Sequence, residues 1–310
     1  MKLIEKISQD LGLPEQYLSS ALLNSRRLVK RIKIIKRDGN ERVVYQPSKK
    51  IKVIQYWLIS NVFQSIRVHS AATAYSKGKS IKHNLLLHKK NRFFLKLDFC
   101  EFFPSITYDY LSSIVDSWLK DDRSHFNSDE LKQLIKLVCF YKNDRLPIGY
   151  PSSPIISNIV MYNFDLLISS NVVESGMYGE VKYSRYADDM VFSTNKQGAC
   201  QEIKNCVMQL LIDIGSPTLK LNEQKTRYLS SSGGSALVTG LRLCYDTHMT
   251  VHRKYKDEIR RLFYCLEKGL LSEKEKKSLK GHLSYLKYVD GQYYSKLISK
   301  YFDLLKNIPM

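Results

Sequence analysis

Acidic residues are scarce in this sequence: 30 aspartates and glutamates face 49 lysines and arginines, leaving a formal charge of +19 over 310 residues. The excess runs along the whole length and is not gathered in one tail, which points to a polyanionic partner, nucleic acid ahead of an anionic membrane. Long uncharged apolar runs are missing too. No window approaches roughly 18 such residues, and the opening stretch MKLIEKISQDLGLPEQYL mixes charges into its apolar positions. Neither a signal peptide nor a membrane span is expected, and the chain should stay in the cytoplasm. None of the six cysteines (Cys100, Cys139, Cys200, Cys206, Cys244, Cys265) belongs to a CxxC pair. No zinc knuckle or disulfide framework is therefore suggested, and they read as reduced packing residues. His248 and His252 stand four apart, but the segment between them is β-branched and no third ligand is near, which removes a metal site there. Gly-rich phosphate loops and repeat periods are absent as well. Strands interleaved with helices in their absence indicate an α+β domain and not a doubly wound dinucleotide fold.

What is present is a globular chain with 44% hydrophobic residues. Apolar positions at helical spacing (Leu3, Ile4, Ile7, Leu11, then Tyr17, Leu18, Leu22), interrupted at Gly12-Leu13-Pro14, predict two short helices. Two β-rich runs around Asp38-Gly39-Asn40 predict a basic hairpin ended by Pro47, and Ile51 to Val68 returns to helical spacing. Phe93 to Phe99 suits a buried strand. Tyr108 to Leu119 and Asp129 to Tyr141 read as helices, and residues 155–170 as one long buried helix after Pro154. Val181 to Thr194 reads as a hairpin with its tip at Ala187-Asp188-Asp189, and after about Tyr245 the chain is expected to be helical and basic.

The chemistry concentrates in two places. Asp188 and Asp189 are adjacent acids at a predicted turn, which on a surface loop is ordinarily just solvated. Here Val181-Lys182-Tyr183 and Met190-Val191-Phe192 flank them closely, so both carboxylates would be held rigidly, and their repulsion is tolerable if a cation neutralises them. Asp98 ends the other apolar strand, where a cap or turn aspartate is the bland alternative. Meeting the pair across adjacent strands, it would complete an oxygen-ligand set for two Mg²⁺ ions. That arrangement serves phosphoryl transfer, one ion activating a primer hydroxyl and the other holding a triphosphate.

With these residues in view the sequence resembles the reverse transcriptase family, over about Arg31 to Leu241. Asp98 with Phe102-Phe103, then Leu146-Pro147-Ile148-Gly149-Tyr150-Pro151-Ser152-Ser153-Pro154 with Ser157-Asn158, then Tyr186-Ala187-Asp188-Asp189 are similar to that family's motifs and fall in its order. Tyr75-Ser76-Lys77-Gly78-Lys79-Ser80-Ile81 resembles a fingers motif, and Leu221-Asn222-Glu223-Gln224-Lys225-Thr226 its lysine motif. The resemblance implies a right-hand polymerase fold: a helical cap over 1–30, fingers over 31–92, a palm of antiparallel sheet plus helices over 93–240 with inserted fingers elements at about 107–150, and a helical thumb over 241–310. It implies metal ligation by Asp98, Asp188, Asp189 and the backbone carbonyl of Phe99. It also implies a nucleotide site of Phe103 as steric gate against ribonucleotides, Lys225 near the leaving pyrophosphate, Arg42 on the triphosphate, and Gly149, Ser153 and Pro154 as a backbone shelf, for which a plain turn is the alternative. Lys77, Lys79, Arg253, Lys254 and Arg260 are the expected RNA contacts.

Within the family, Val238-Thr239-Gly240-Leu241 and the Leu-Pro-Ile-Gly and Pro-Ser-Ser-Pro strings resemble the bacterial retron branch. No ribonuclease H, maturase or endonuclease domain is expected after the thumb. Two features depart from the pattern: Ile148 stands where a glutamine is common, and the Asn-Ala-x-x-His string of many retron enzymes is absent. The resemblance implies a structured noncoding RNA as template and primer, dNTPs as substrates, a branched RNA–DNA product primed from a guanosine 2′-hydroxyl, an antiphage role and an associated effector protein. A diversity-generating or abortive-infection enzyme, or a noncatalytic RNA-binding scaffold, would share much of this sequence; three mutually repelling aspartates argue against the scaffold.

Overall fold

A computed structural model describes residues 2–35, 39, 41–121, 126–215, 217–231 and 235–306. The chain opens with α1 (Leu3–Leu11) and α2 (Glu15–Leu23), separated where Gly12 takes φ 62° and Pro14 precedes the second helix. β1 (Val29–Ile35) and β2 (Glu41–Pro47) form the expected hairpin; Asp38 and Asn40 of its turn signal lie outside the described residues. α3 (Lys49–Asn61) follows, shorter than its periodicity suggests, because Val62 leaves helical geometry and Phe63–Ser65 tighten into a 3₁₀ turn. α4 (Ile81–Leu87) is capped by Ser80 accepting from the His83 N–H.

The centre is a four-stranded antiparallel sheet in the order β4-β5-β3-β6, built from β3 (Phe93–Asp98), β4 (Lys182–Tyr186), β5 (Asp189–Thr194) and β6 (Arg227–Ser230). Between β3 and β4 lie α5 (Phe102–Ser105), α6 (Tyr108–Asp121), α7 (Ser128–Cys139), α8 (Ser153–Val160) and α9 (Tyr162–Ile168); α10 (Ala199–Ile214) joins β5 to β6. The single helix expected over 155–170 is thus two. Met161, at ψ 1°, breaks it without any glycine or proline, and a π-helical turn at Ser169–Val173 follows α9. The break turns α9 so that Phe164 and Asp165 are both buried.

Strand alternation sorts the sheet's side chains into two cores. Leu95, Leu97, Met190 and Phe192 enter the main core with the helices, whereas Phe94 and Val191 point to a second core. That second core contains β7 (Ser235–Val238), β8 (Leu241–Cys244), β9 (Met249–Val251), α11 (Arg253–Glu267), α12 (Glu273–Val289), α13 (Gly291–Lys300) and α14 (Phe302–Lys306). The helical run therefore begins at Arg253 and not near Tyr245; a small antiparallel sheet precedes it and straddles the expected palm–thumb boundary. No described helix is long and apolar enough to cross a membrane.

Candidate active site

β3 and β5 pair in a register that sets Asp98 opposite Asp189. Both aspartates share the sheet face of Phe94 and Val191, so strand parity keeps them out of the main core. β4 and β5 are joined by a two-residue turn, Ala187-Asp188, since Tyr186 pairs with Asp189. Ala187 takes φ 57°, a conformation that costs an L-residue on the order of 1–2 kcal/mol. The Phe99 N–H donates to the Asp188 carbonyl at 3.3 Å, tying the end of β3 to this turn and bringing the Phe99 backbone beside the acid pair.

Three carboxylates thus converge from two strands and a turn, and their electrostatics show it. Burial, then the neighbouring Asp188 and Asp189, hold the Asp98 carboxyl above the ordinary carboxylate range; its hydrogen bond from Lys225 offsets this without cancelling it. Asp188 is raised by burial and then by Asp189. Lys225 donates to both Asp98 oxygens at 2.9 and 3.0 Å, and Lys96 Nζ lies 3.1 Å from Asp189 Oδ1. Among the described residues no three acidic, histidine or cysteine side chains share one ligating point, each of these two ammonium groups holding a carboxylate. The donor set nonetheless suits hard divalent cations: all oxygen, with more negative charge than two lysines balance.

The other expected residues divide. Phe102 is buried and stacks on Phe99 with ring centroids 5.6 Å apart, leaving Phe103 half-buried beside it. Arg42 is exposed on β2 but close enough for its charge to offset a small part of the rise in the Asp188 carboxyl's pKa. Gly149 has φ 105°, and a Cβ there would meet the Tyr45 carbonyl and Val44 Cγ1 at 2.6 Å. Glycine at this point admits the β2 backbone, and the adjoining Tyr45 N–H donates to the Ile148 carbonyl at 2.8 Å. Ser153 is likewise turned inward, its hydroxyl donating to the Pro147 carbonyl at 2.6 Å, while Pro154 sits half-buried in the first turn of α8. Gly149 and Ser153 thus fix the shape of the expected shelf through contacts within the chain. Lys77 is exposed, but Lys79 folds its own loop, donating to the Ser70 and Ala72 carbonyls. Arg253, Lys254 and Arg260 are exposed on α11, where both arginines face Asp257.

Sequence reasoning passed over three residues. Lys96 was legible, standing two before Asp98 and hence on the same face. Tyr75, 55% exposed in the left-handed conformation at φ 60°, lies near Asp188, Tyr186 and Arg42; nothing in its motif announces that backbone. Arg185 is fully buried beneath the turn.

Comparison with known proteins places the chain in a family. The model of the family described as reverse transcriptase (RNA-dependent DNA polymerase) matches residues 34–264. The chain is 40% identical over 293 residues to the retron Ec73 reverse transcriptase of Escherichia coli, covering 93% of this chain and 92% of that protein. It is 34% identical over 276 residues to the retron Ec83 reverse transcriptase of the same organism, covering 87% and 85%. Among solved structures, apo telomerase from Candida tropicalis matches with a TM-score of 0.53 at 12% identity, over 90% of this chain and 58% of that one, a likeness of fold.

Proposed function

Since the chain belongs to the reverse transcriptase family, in its bacterial retron branch, and is an RNA-directed DNA polymerase, we propose that it copies a structured noncoding RNA into DNA with Asp98, Asp188 and Asp189 holding two Mg²⁺ ions. The observation that carries this reading is the register placing Asp98 opposite Asp189 with Asp188 at the adjoining turn. When bound, such cations neutralise the carboxylates and supply the Lewis acidity that phosphoryl transfer needs. The residues of the chain do the rest. Lys225, now on Asp98, stands ready to release it and donate a proton toward the leaving pyrophosphate. Arg42 reaches over from β2 to pair with triphosphate oxygens of the dNTP. Phe103, with Phe102 filling the core behind it, sets a ring against the sugar and selects deoxynucleotides.

In this proposal residues 1–30 form a cap, 31–92 the fingers, 93–240 the palm with fingers elements at about 107–150, and 241–310 the thumb, whose Arg253, Lys254 and Arg260 join Lys77 in gripping the RNA backbone. The RNA is both template and primer, synthesis starting from a guanosine 2′-hydroxyl to give branched RNA–DNA, and the system serves antiphage defence with an effector protein. The composition supports a cytoplasmic site of action. The test is to purify the protein with its bound nucleic acid and look for DNA joined to RNA through a 2′-linked guanosine. A branched species that vanishes in Asp188→Asn supports the whole reading; unbranched DNA removes the priming mode, and RNA alone in the unsubstituted protein overturns the catalytic assignment.

A further inference from the structure

Arg185 is the largest of the fully buried side chains. It sits on β4, on the face turned to the main core, and Asp165 of α9 meets it there. Its Nε donates to Asp165 Oδ1 and Oδ2 at 2.9 and 3.2 Å, and its Nη2 to Oδ2 at 2.6 Å. The Tyr183 hydroxyl donates to the same carboxylate at 2.7 Å. A buried ion pair of this kind is a poor device for stability, since taking each ion out of water costs several kcal/mol and an apolar pair of similar volume often does as well. Its remaining contacts show where its geometry is used. Nη1 donates to the Ala187 carbonyl at 3.2 Å and to Asn158 Oδ1 at 3.3 Å, and Asn158 Nδ2 donates to the Ala74 carbonyl at 2.9 Å. The main chain of Arg185 is tied as well: its N–H donates to the Ala71 carbonyl, and its carbonyl accepts from the Thr73 N–H, each at 2.8 Å.

Arg185 therefore touches two of the structures that border the acids. One is the strained turn, whose left-handed residue is Ala187. The other is the segment 71–74, which leads into Tyr75, also left-handed and exposed beside Asp188. A guanidinium has the fork to hold a carboxylate along one edge and two carbonyl-type acceptors with the other, which an ammonium on a flexible stem does not.

We infer that Arg185 is a positioning residue for DNA synthesis: braced by Asp165 and Asn158, it holds the Ala187 carbonyl and so fixes the turn that aims Asp188 and Asp189. The inference rests on the reading of those aspartates as the metal-holding pair, and the experiment separates the two. Four variants are compared with the unsubstituted protein in primer extension on an RNA template, each measured for kcat, dNTP KM, the Mg²⁺ concentration giving half-maximal rate, RNA Kd and Tm.

Asp188→Asn is the control: if it retains synthesis, the reading of the acids fails. Arg185→Lys keeps the charge opposite Asp165 but loses the fork. The paired variant Arg185→Met with Asp165→Leu removes both charges and keeps an apolar core. Arg185→Met alone leaves Asp165 unpaired and measures the folding cost. We expect Arg185→Lys and the paired variant to keep RNA Kd and Tm near the original while kcat falls roughly 10- to 100-fold, as a displacement near 1 Å in the site would produce. The Mg²⁺ requirement should rise with it. If Asp188→Asn is inactive but Arg185→Lys works at full rate with an unchanged Mg²⁺ requirement, the positioning role is overturned, whether or not the paired variant folds. Full rate in a folded paired variant overturns it equally.

Discussion

Asp165 and the Asp98–Asp189 pair lie on opposite faces of one sheet and are treated in opposite ways. Asp165 is wholly enclosed, and a guanidinium and a tyrosine hydroxyl satisfy it. Among the described residues two lysines hold Asp98 and Asp189, and burial with mutual repulsion pushes Asp98 and Asp188 above their ordinary range. The first group is complete within the chain and serves to hold. The second is incomplete, and in the proposed reading a divalent cation supplies its missing charge. One sheet thus separates a rigid support from the proposed reactive site by a single strand's thickness.

The largest expected effect breaks the incomplete side. Asp188→Asn should lower primer-extension kcat by about 1,000-fold or more, since a metal ligand contributes several kcal/mol of charge stabilisation, while RNA Kd measured by filter binding stays the same. The same variant should raise Tm in EDTA. A carboxyl whose folded pKa is raised loses stability as pH rises above its unfolded value, so removing the charge relieves the fold at pH 7. Mg²⁺ should accordingly raise the Tm of the unsubstituted protein more than that of the variant.

Breaking the complete side acts on folding. Asp165→Leu alone strands the Arg185 charge in the core and should destabilise the protein by about 3–5 kcal/mol in urea unfolding. A loss under about 1 kcal/mol would show that water or a rearranged partner satisfies Arg185, and the contrast between the two faces would fail.

A smaller effect comes from His88, buried between the Ser193 and Ser184 hydroxyls at 2.8 Å each, with burial lowering its pKa from 6.5 to about 3. The folded protein keeps this ring neutral while the unfolded chain takes up a proton. Its contribution is therefore complete above pH 6.5 and is lost as pH falls toward 3, at about 1.4 kcal/mol per unit at the steepest. The urea midpoint should drop between pH 6.5 and 5, and His88→Gln should flatten that slope. The smallest effect is expected at the surface. Arg260 and Asp257 lie 2.8 Å apart but both are more than half exposed, so Asp257→Asn should change stability by no more than about 0.5 kcal/mol.

The three aspartates proposed to carry the chemistry were legible because their signals are local. An acid at the end of an apolar strand and an acid pair at a hairpin tip are set by alternation within a few neighbouring positions, and the two N-terminal helices were marked by Gly12 and Pro14. The break at Met161 was not legible, since it involves no glycine or proline and follows from how α9 must meet β4. Nor were β7 to β9, strands of only 3–4 residues whose pairing partners define them. The close approach of the Tyr45 backbone to Gly149 was not legible either, because it comes from over a hundred residues earlier in the chain.

By itself, then, the sequence determined the class of partner, the three acids and the strands that bear them, since charge, composition and period-two alternation are properties of short windows. Tertiary structure alone decided which cation answers which acid: Lys225 and Lys96 for the open group, Arg185 for Asp165. Those pairings depend on strand register and helix direction across many residues of intervening chain, and the energy of a charge depends on the burial that only the assembled fold imposes.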